Sequence, residues 1–220
     1  MHAVNHAITA LAIKKAAPAA PLAPLLISVQ TMEILWVGFH FAGLEWTEVA
    51  DSARSIADVS LAHMPWSHSV LTTALVAVLF GIMAKLIWKR WVIALALAIG
   101  VLSHIALDLL LHAPDVQMVP WISEPKYGLG FYGSAPAIAW VIELAYGLIV
   151  WRMAGGGKGL LALVVLFNAA AFTSYMPFIG GEMNPNPMDF ARFVGVQIAV
   201  TLPLIYFFAP KWMRQKAQKT

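Results

Sequence analysis

Cysteine is absent from the 220 residues. That excludes disulfides and thiolate metal sites, so any side-chain metal ligand must offer nitrogen or oxygen. Charge is scarce as well: 11% of residues are Asp, Glu, Lys or Arg, where a soluble domain carries about 25%. Hydrophobic residues make up 60% of the chain, and the mean hydropathy is +0.76. This combination reads as an integral membrane protein in contact with a lipid bilayer, with no nucleic-acid partner expected. A basic start is missing too. His2 and His6 stand there, and Lys14-Lys15 follow the first apolar stretch, so the N-terminus does not read as a cleaved signal peptide. No internal repeat is visible, and no two related halves carry paired Gly/Pro-broken segments. A transporter using Glu33, Asp108 and Glu143 as an ion relay therefore has little support.

What is present is a series of apolar runs. The first, about Ala3 to Ala17, is short and reads as a half-span or a tilted helix ending at the interface. Longer runs cover about Pro21–Gly43, Ser67–Trp88, Arg90–His112, Ala135–Met153, Gly159–Pro177 and Phe190–Phe208. Each of these has about the 20 residues that a hydrocarbon core requires. The expected fold is an all-α polytopic helical bundle of six to seven transmembrane segments, forming one domain over residues 1–220. Lys14-Lys15, Lys85 with Lys89-Arg90, Arg152 with Lys158, and the tail Lys211, Arg214, Lys216 and Lys219 fall on one side if the chain crosses in alternation. The excess of Lys and Arg marks that side, and the C-terminus, as cytoplasmic. The long links 44–66, 113–134 and 180–187 then face outward.

Polar groups inside the apolar runs carry the chemistry, because such groups are costly in a bilayer and need partners. His104, Asp108 and His112 recur every four residues, and a helix turns about 100° per residue, so they share one stripe. His68 opens the preceding run within Pro65-Trp66-Ser67-His68-Ser69. Glu33 lies past the middle of the second run, His40 lies farther out, and Glu143 sits in the fifth. Alternation gathers His6, Glu33, His68, His104, Asp108 and His112 in the outer half of the membrane. Histidine nitrogen and carboxylate oxygen suit a divalent metal such as zinc, which takes about four ligands. Asp108 could serve as ligand and catalytic group, and Glu33 as ligand or general base. Ser69 could orient a ligand, His112, Asp115 and Glu143 could support the cluster, and Lys126 could bind an anion such as phosphate. Blander readings stand beside these. His104 and Asp108 could pair only with each other, Ser67 could cap a helix, and His112, His40 and His63 could sit at the interface.

The runs Met64-Pro65-Trp66-Ser67-His68-Ser69, Ser103-His104 through Asp108 to His112-Ala113-Pro114-Asp115, and Gly128-Leu129-Gly130-Phe131-Tyr132 with Glu143 carry a resemblance. They resemble the bacterial membrane-bound metal-dependent hydrolase-like family, whose better-known members are LexA-binding, inner-membrane-associated hydrolases. Asn5-His6-Ala7 is similar to the histidine that opens such proteins. Glu33 falls where relatives tend to have a Pro-Asp pair, a departure that gives a longer reach. The resemblance spans about residues 1–150, so 1–153 forms the hydrolase-like core, and 154–220 holds two further spans and a basic tail. It implies metal binding through His6, His68, His104 and Asp108 in a bacterial inner-membrane protein. The function expected is hydrolysis of a lipid or lipid-linked phosphoester at the outer leaflet. The competing expectation is a non-enzymatic subunit of a larger membrane complex, in which the histidines face a pigment or haem.

Overall fold

Proline and glycine divide the chain into helices. The computed structural model describes residues 1–176, 178, 179, 181, 182 and 186–215. Parts of the expected 180–187 link, together with Lys216 and Lys219 of the basic tail, lie outside the described residues. Helix α1 (Ala3–Ala16) gives way to Pro18 and Pro21 before α2 (Leu22–Phe41). Helix α3 (Val70–Trp88) stops at Lys89, whose φ of 57° is left-handed, and α4 (Trp91–Leu111) follows at once. A short turn of helix, α5 (Phe131–Ser134), precedes α6 (Pro136–Ala154), which starts with proline at its first turn. Gly155, at φ +70°, ends α6 in the left-handed conformation that a residue without Cβ adopts freely. Helix α7 (Lys158–Tyr175), helix α8 (Pro187–Phe208) and a last turn, α9 (Lys211–Arg214), complete the order.

Six of these helices, α2, α3, α4, α6, α7 and α8, are long and apolar enough to cross a membrane. The chain is a multi-pass all-α membrane protein. Large apolar side chains such as Leu75, Leu79, Leu86, Leu95, Leu166 and Phe207 stand exposed on the helix surfaces, where lipid rather than water is the fitting neighbour.

The short first run resolves as a central helix. At 1.5 Å per residue the 14 residues of α1 reach roughly 21 Å, short of the ~30 Å hydrocarbon layer. Helix α1 packs against α2, α4, α6, α7 and α8, and Ala3, Ala7, Ile8, Ala10 and Leu11 are buried. Small side chains let neighbouring backbones approach, which is how helices associate where lipid removes the hydrophobic driving force. Its lower end is anchored by lysine. Lys14 donates to the carbonyls of Pro18 and Ala20, and Lys15 to that of Met153 at the end of α6. The α1 end, the α3–α4 turn and the α6–α7 turn thus gather the basic residues at one end of the bundle. The last two spans are built into the same core, with α8 against α1 and α2 and α7 against α6.

Among the described residues, the links at the opposite end contain four short strands. β1 (Trp46–Val49) pairs antiparallel with β2 (Val59–His63), and β3 (Val116–Val119) with β4 (Ile122–Tyr127). A 3₁₀ turn, Ile56–Asp58, sits between β1 and β2. An isolated bridge from Ser69 to Gln117, with the Gln117 N–H donating to the His68 carbonyl, ties the start of α3 to β3. These two hairpins cap the end of the bundle where the polar side chains converge.

Candidate metal centre

Four elements deliver one cluster. His6 projects from the first turns of α1, Glu33 from α2, His68 from just before α3, and His104, Asp108 and His112 from the last turns of α4. The four-residue spacing on α4 works as the helical repeat requires: His104 Nε2 lies 3.0 Å from Asp108 Oδ2, and His112 Nε2 lies 3.5 Å from Oδ1. His6 Nε2 approaches Oδ1 at 3.1 Å, and His68 Nε2 approaches Oδ2 at 3.9 Å. Glu33 Oε2 is 3.4 Å from His104 Nε2 and 3.8 Å from His68 Nε2. His104 and Asp108 are thus more than a mutual pair. His6 and His104 stack with ring centroids 4.1 Å apart. Two sets, His6–His104–Asp108 and Glu33–His68–His104, bring one ligand atom per residue within 4.8 Å of each other.

Nitrogen and oxygen donors grouped in this way fit a divalent metal. His104 Nε2 is fully buried and, despite its short distance to Asp108, has no hydrogen bond of acceptable geometry. A buried nitrogen ordinarily has a partner. Both ring nitrogens of His104 lack a hydrogen bond, and Nε2 lies among two carboxylates and beside the rings of His6 and His68, a setting that suits an ion.

The surroundings fix the ligands. Glu45, in the 42–45 link, accepts the backbone N–H groups of Trp66 and Ser67 on Oε1 and the Ser67 hydroxyl on Oε2. Burial pushes the Glu45 carboxyl up, and these three donors oppose that shift. Ser67 Oγ also lies 2.8 Å from His68 Nδ1. With the hydroxyl proton given to Glu45, Nδ1 of His68 must be the donor to Oγ. The proton then resides on Nδ1, and the Nε2 lone pair faces Asp108 and Glu33. Such outer partners set the tautomer and ring orientation of a metal-binding histidine.

Glu143 holds the other side. It accepts from the backbone N–H of His2, from Asn5 Nδ2, and from the hydroxyls of Tyr132 and Tyr175. The carboxylate is fully partnered, and it locks the start of α1, and so His6, against α6 and α7. Gln30 Nε2 adds a bond to the Ala3 carbonyl from α2. The amino group of Met1 lies 2.6 Å from Asp108 Oδ1. Tyr132 reaches Glu143 because the chain doubles back after β4. Gly128, at φ +154°, passes so close that a Cβ would stand 2.2 Å from the Ala113 carbonyl oxygen.

Several sequence expectations change here. Ser69 does not touch a ligand: its Oγ caps α3 by accepting the Thr72 N–H, and donates to Thr72 Oγ1. Ser67, expected as the cap, supports His68 instead, because α3 begins two residues later than the apolar run suggests. Lys126 stands outside the cluster. Its Nζ lies 3.5 Å from the carbonyls of Leu61 and Ala62, so it ties β4 to β2. His40, expected at the interface, is buried against Trp36 and 3.4 Å from Thr47 Oγ1. Asp115 is close to the site, 3.7 Å from His112 Nδ1. Sequence reasoning gave no site role to Met1, His2, Glu45 or Tyr132. Glu45 was one of several acids in a link, and only the hairpin fold distinguishes it.

A cavity of about 160 Å³ opens onto the cluster. Glu33, His68, Asp108, His112 and Asp115 line its polar end, with Met1, His2 and Tyr132. Trp36, Leu61, Phe190, Phe193 and Val194 from α2, β2 and α8 line an apolar wall. Phe193 is largely exposed on the helix surface, so the wall continues to the side of the bundle. No family model, no curated protein and no solved structure matches the chain.

Proposed function

We propose that the chain is a divalent-metal-dependent hydrolase of the membrane-bound hydrolase-like type, acting on a lipid or lipid-linked phosphoester. The observation that carries this reading is the convergence of His6, His68 and His104 with Asp108 and Glu33, at the end of a cavity with an apolar side wall. His68, His104 and Asp108 would hold the ion, with His6 next to them, and zinc suits the nitrogen and oxygen donors. A bound divalent ion supplies a Lewis acid and lowers the pKa of water.

The chain's own residues account for the rest. Glu33 borders the cavity with 16% of its side chain open, while Asp108 keeps only 2%. Glu33 is therefore the carboxylate placed to accept a proton from an entering water, and Asp108 the one that holds position. His112, 19% open and 3.7 Å from Asp115, lies at the rim of the same cavity. The wall of Trp36, Phe190, Phe193 and Val194 admits an acyl or isoprenoid chain and excludes water from it. The positive-inside pattern supports a cytoplasmic C-terminus, and the family resemblance supports a bacterial inner membrane. The cluster then opens at the outer leaflet.

The test uses purified protein in lipid nanodiscs containing zinc and a panel of phospholipids and polyprenyl phosphates, with released head groups and phosphate read by mass spectrometry. Wild type is expected to release product from at least one lipid, and Glu33→Gln to lower the rate by 10²-fold or more, in line with loss of a general base. Turnover that is unchanged in Glu33→Gln and in His104→Ala would contradict the reading. A protein without metal but with strong visible absorbance would point to a pigment-binding subunit.

A further inference from the structure

Resting on the metal-site reading above, we infer that the site holds two divalent ions bridged by Asp108, one on each carboxylate oxygen. The imidazoles divide between the two oxygens, and Oδ1 also meets the Met1 amino group at 2.6 Å. Oδ1 is approached by His6 Nε2 at 3.1 Å and His112 Nε2 at 3.5 Å. Oδ2 is approached by His104 Nε2 at 3.0 Å and His68 Nε2 at 3.9 Å. Each oxygen therefore has its own pair of imidazoles: His6 of α1 with His112 just past α4, and His68 just before α3 with His104 of α4. Glu33 stands by the second pair only.

Number and spacing both favour two ions. Five side chains offer six donor atoms before Glu33 is counted, and a single zinc takes about four. His6 and His104, one from each pair, stack face to face with centroids 4.1 Å apart. Parallel rings at that separation aim their Nε2 atoms at two neighbouring points, and ions in two-metal hydrolytic sites stand about 3.5–4 Å apart.

The arrangement leaves each ion with two imidazoles and one carboxylate oxygen from the protein, so both keep positions free toward the cavity that His68, His112 and Asp108 line. A phosphoester bound there could place one oxygen on each ion.

Cobalt(II) titration of metal-stripped full-length protein in detergent tests this, with bound cobalt counted by elemental analysis and its spin by EPR. Two cobalt ions per chain are expected at saturation, with an integrated spin well below that of two independent ions because the bridging carboxylate couples them. The His6→Ala/His112→Ala double variant is expected to bind one ion with full, uncoupled spin. A wild type that saturates at one cobalt per chain overturns the two-ion inference and leaves the single-ion site standing. A wild type that binds none overturns both. The wild-type titration decides the matter alone if the double variant fails to fold.

Discussion

Ser67 and His68 show how a single residue gains meaning only from its neighbours in space. A histidine in a membrane chain can serve as a ligand only if its free lone pair faces the right way. The Glu45–Ser67–His68 chain of bonds settles that orientation. Ser67→Ala removes the partner of His68 Nδ1 without touching the cluster. Loss of such a supporting group typically costs 10–100-fold in metal affinity, and a fall of that size is expected in a competition titration against a zinc chelator. Ser69→Ala, which only uncaps α3, is expected to leave the affinity unchanged and to lower stability by about 1 kcal/mol. Equal metal affinities in the two variants would contradict the assignment. At this scale the α4 part of the site was legible, because His104, Asp108 and His112 follow the helical repeat. The support from Glu45 was not, because 22 residues and a hairpin separate it from Ser67. Ser67 was misplaced because hydropathy alone does not mark where an apolar run turns helical.

At the scale of elements, the site depends on how closely helices approach. Gly100 on α4 faces Ser28 on α2, and a Cβ there would stand 2.1 Å from Ser28 Oγ and 3.0 Å from Ser28 Cβ. That contact sets the distance at which Glu33 of α2 meets His104 of α4. Gly100→Ala is expected to overpack the crossing, at a cost on the order of 1–3 kcal/mol, and to reduce bound metal in the same preparation. Thermal unfolding in detergent, followed by near-UV circular dichroism, reads the first effect; an unchanged midpoint with unchanged metal would contradict it. The 3₁₀ turn between β1 and β2 offers a pH-dependent element, since Ile56 and Ala57 line the cavity. Asp58 accepts the N–H groups of Arg54 and Ser55 and the Ser55 hydroxyl. These bonds, that from Arg54 foremost, hold its carboxyl below the usual range. A lowered carboxyl stabilises the turn above the ordinary Asp pKa of about 3.9, and that stabilisation is lost as pH falls through the lowered value. Asp58→Asn reproduces the acid state at neutral pH, and faster amide exchange at Arg54 and Ser55 is expected; wild-type rates would count against this role. The six long helices were legible from length and hydropathy. The position of α1 was not: the short apolar stretch reads as a half-span or a tilted helix ending at the interface, and only its contacts with α2, α4, α6, α7 and α8 identify it as the centre of the bundle.

Across the whole molecule, polarity is sorted along the bundle axis. Basic residues lie at the end where α1 finishes and α3 turns into α4, while the two hairpins and the cluster lie at the other. The absence of cysteine makes this arrangement directly testable by single-cysteine labelling. Trp121→Cys, in the exposed turn between β3 and β4, is expected to react with a membrane-impermeant maleimide on intact cells whose outer membrane has been permeabilised. Lys158→Cys, at the start of α7, is expected to react only after the inner membrane is broken. The reverse pattern would put the cluster on the cytoplasmic side and overturn the outer-leaflet reading. The side wall of the cavity also belongs to this scale. Phe190, Phe193 and Val194 come from α8, beyond the stretch that resembles the hydrolase-like family, and only the packing of α8 against α1 and α2 brings them to the site.

The central claim is that these histidines and carboxylates bind metal. Elemental analysis of gently purified wild-type protein beside a His68→Ala/His104→Ala variant, both verified as folded by circular dichroism, tests it most directly. The account predicts at least one zinc or similar divalent ion per chain in the wild type and none above background in the variant. A folded wild type that carries no ion and takes up none on dialysis against zinc would contradict it.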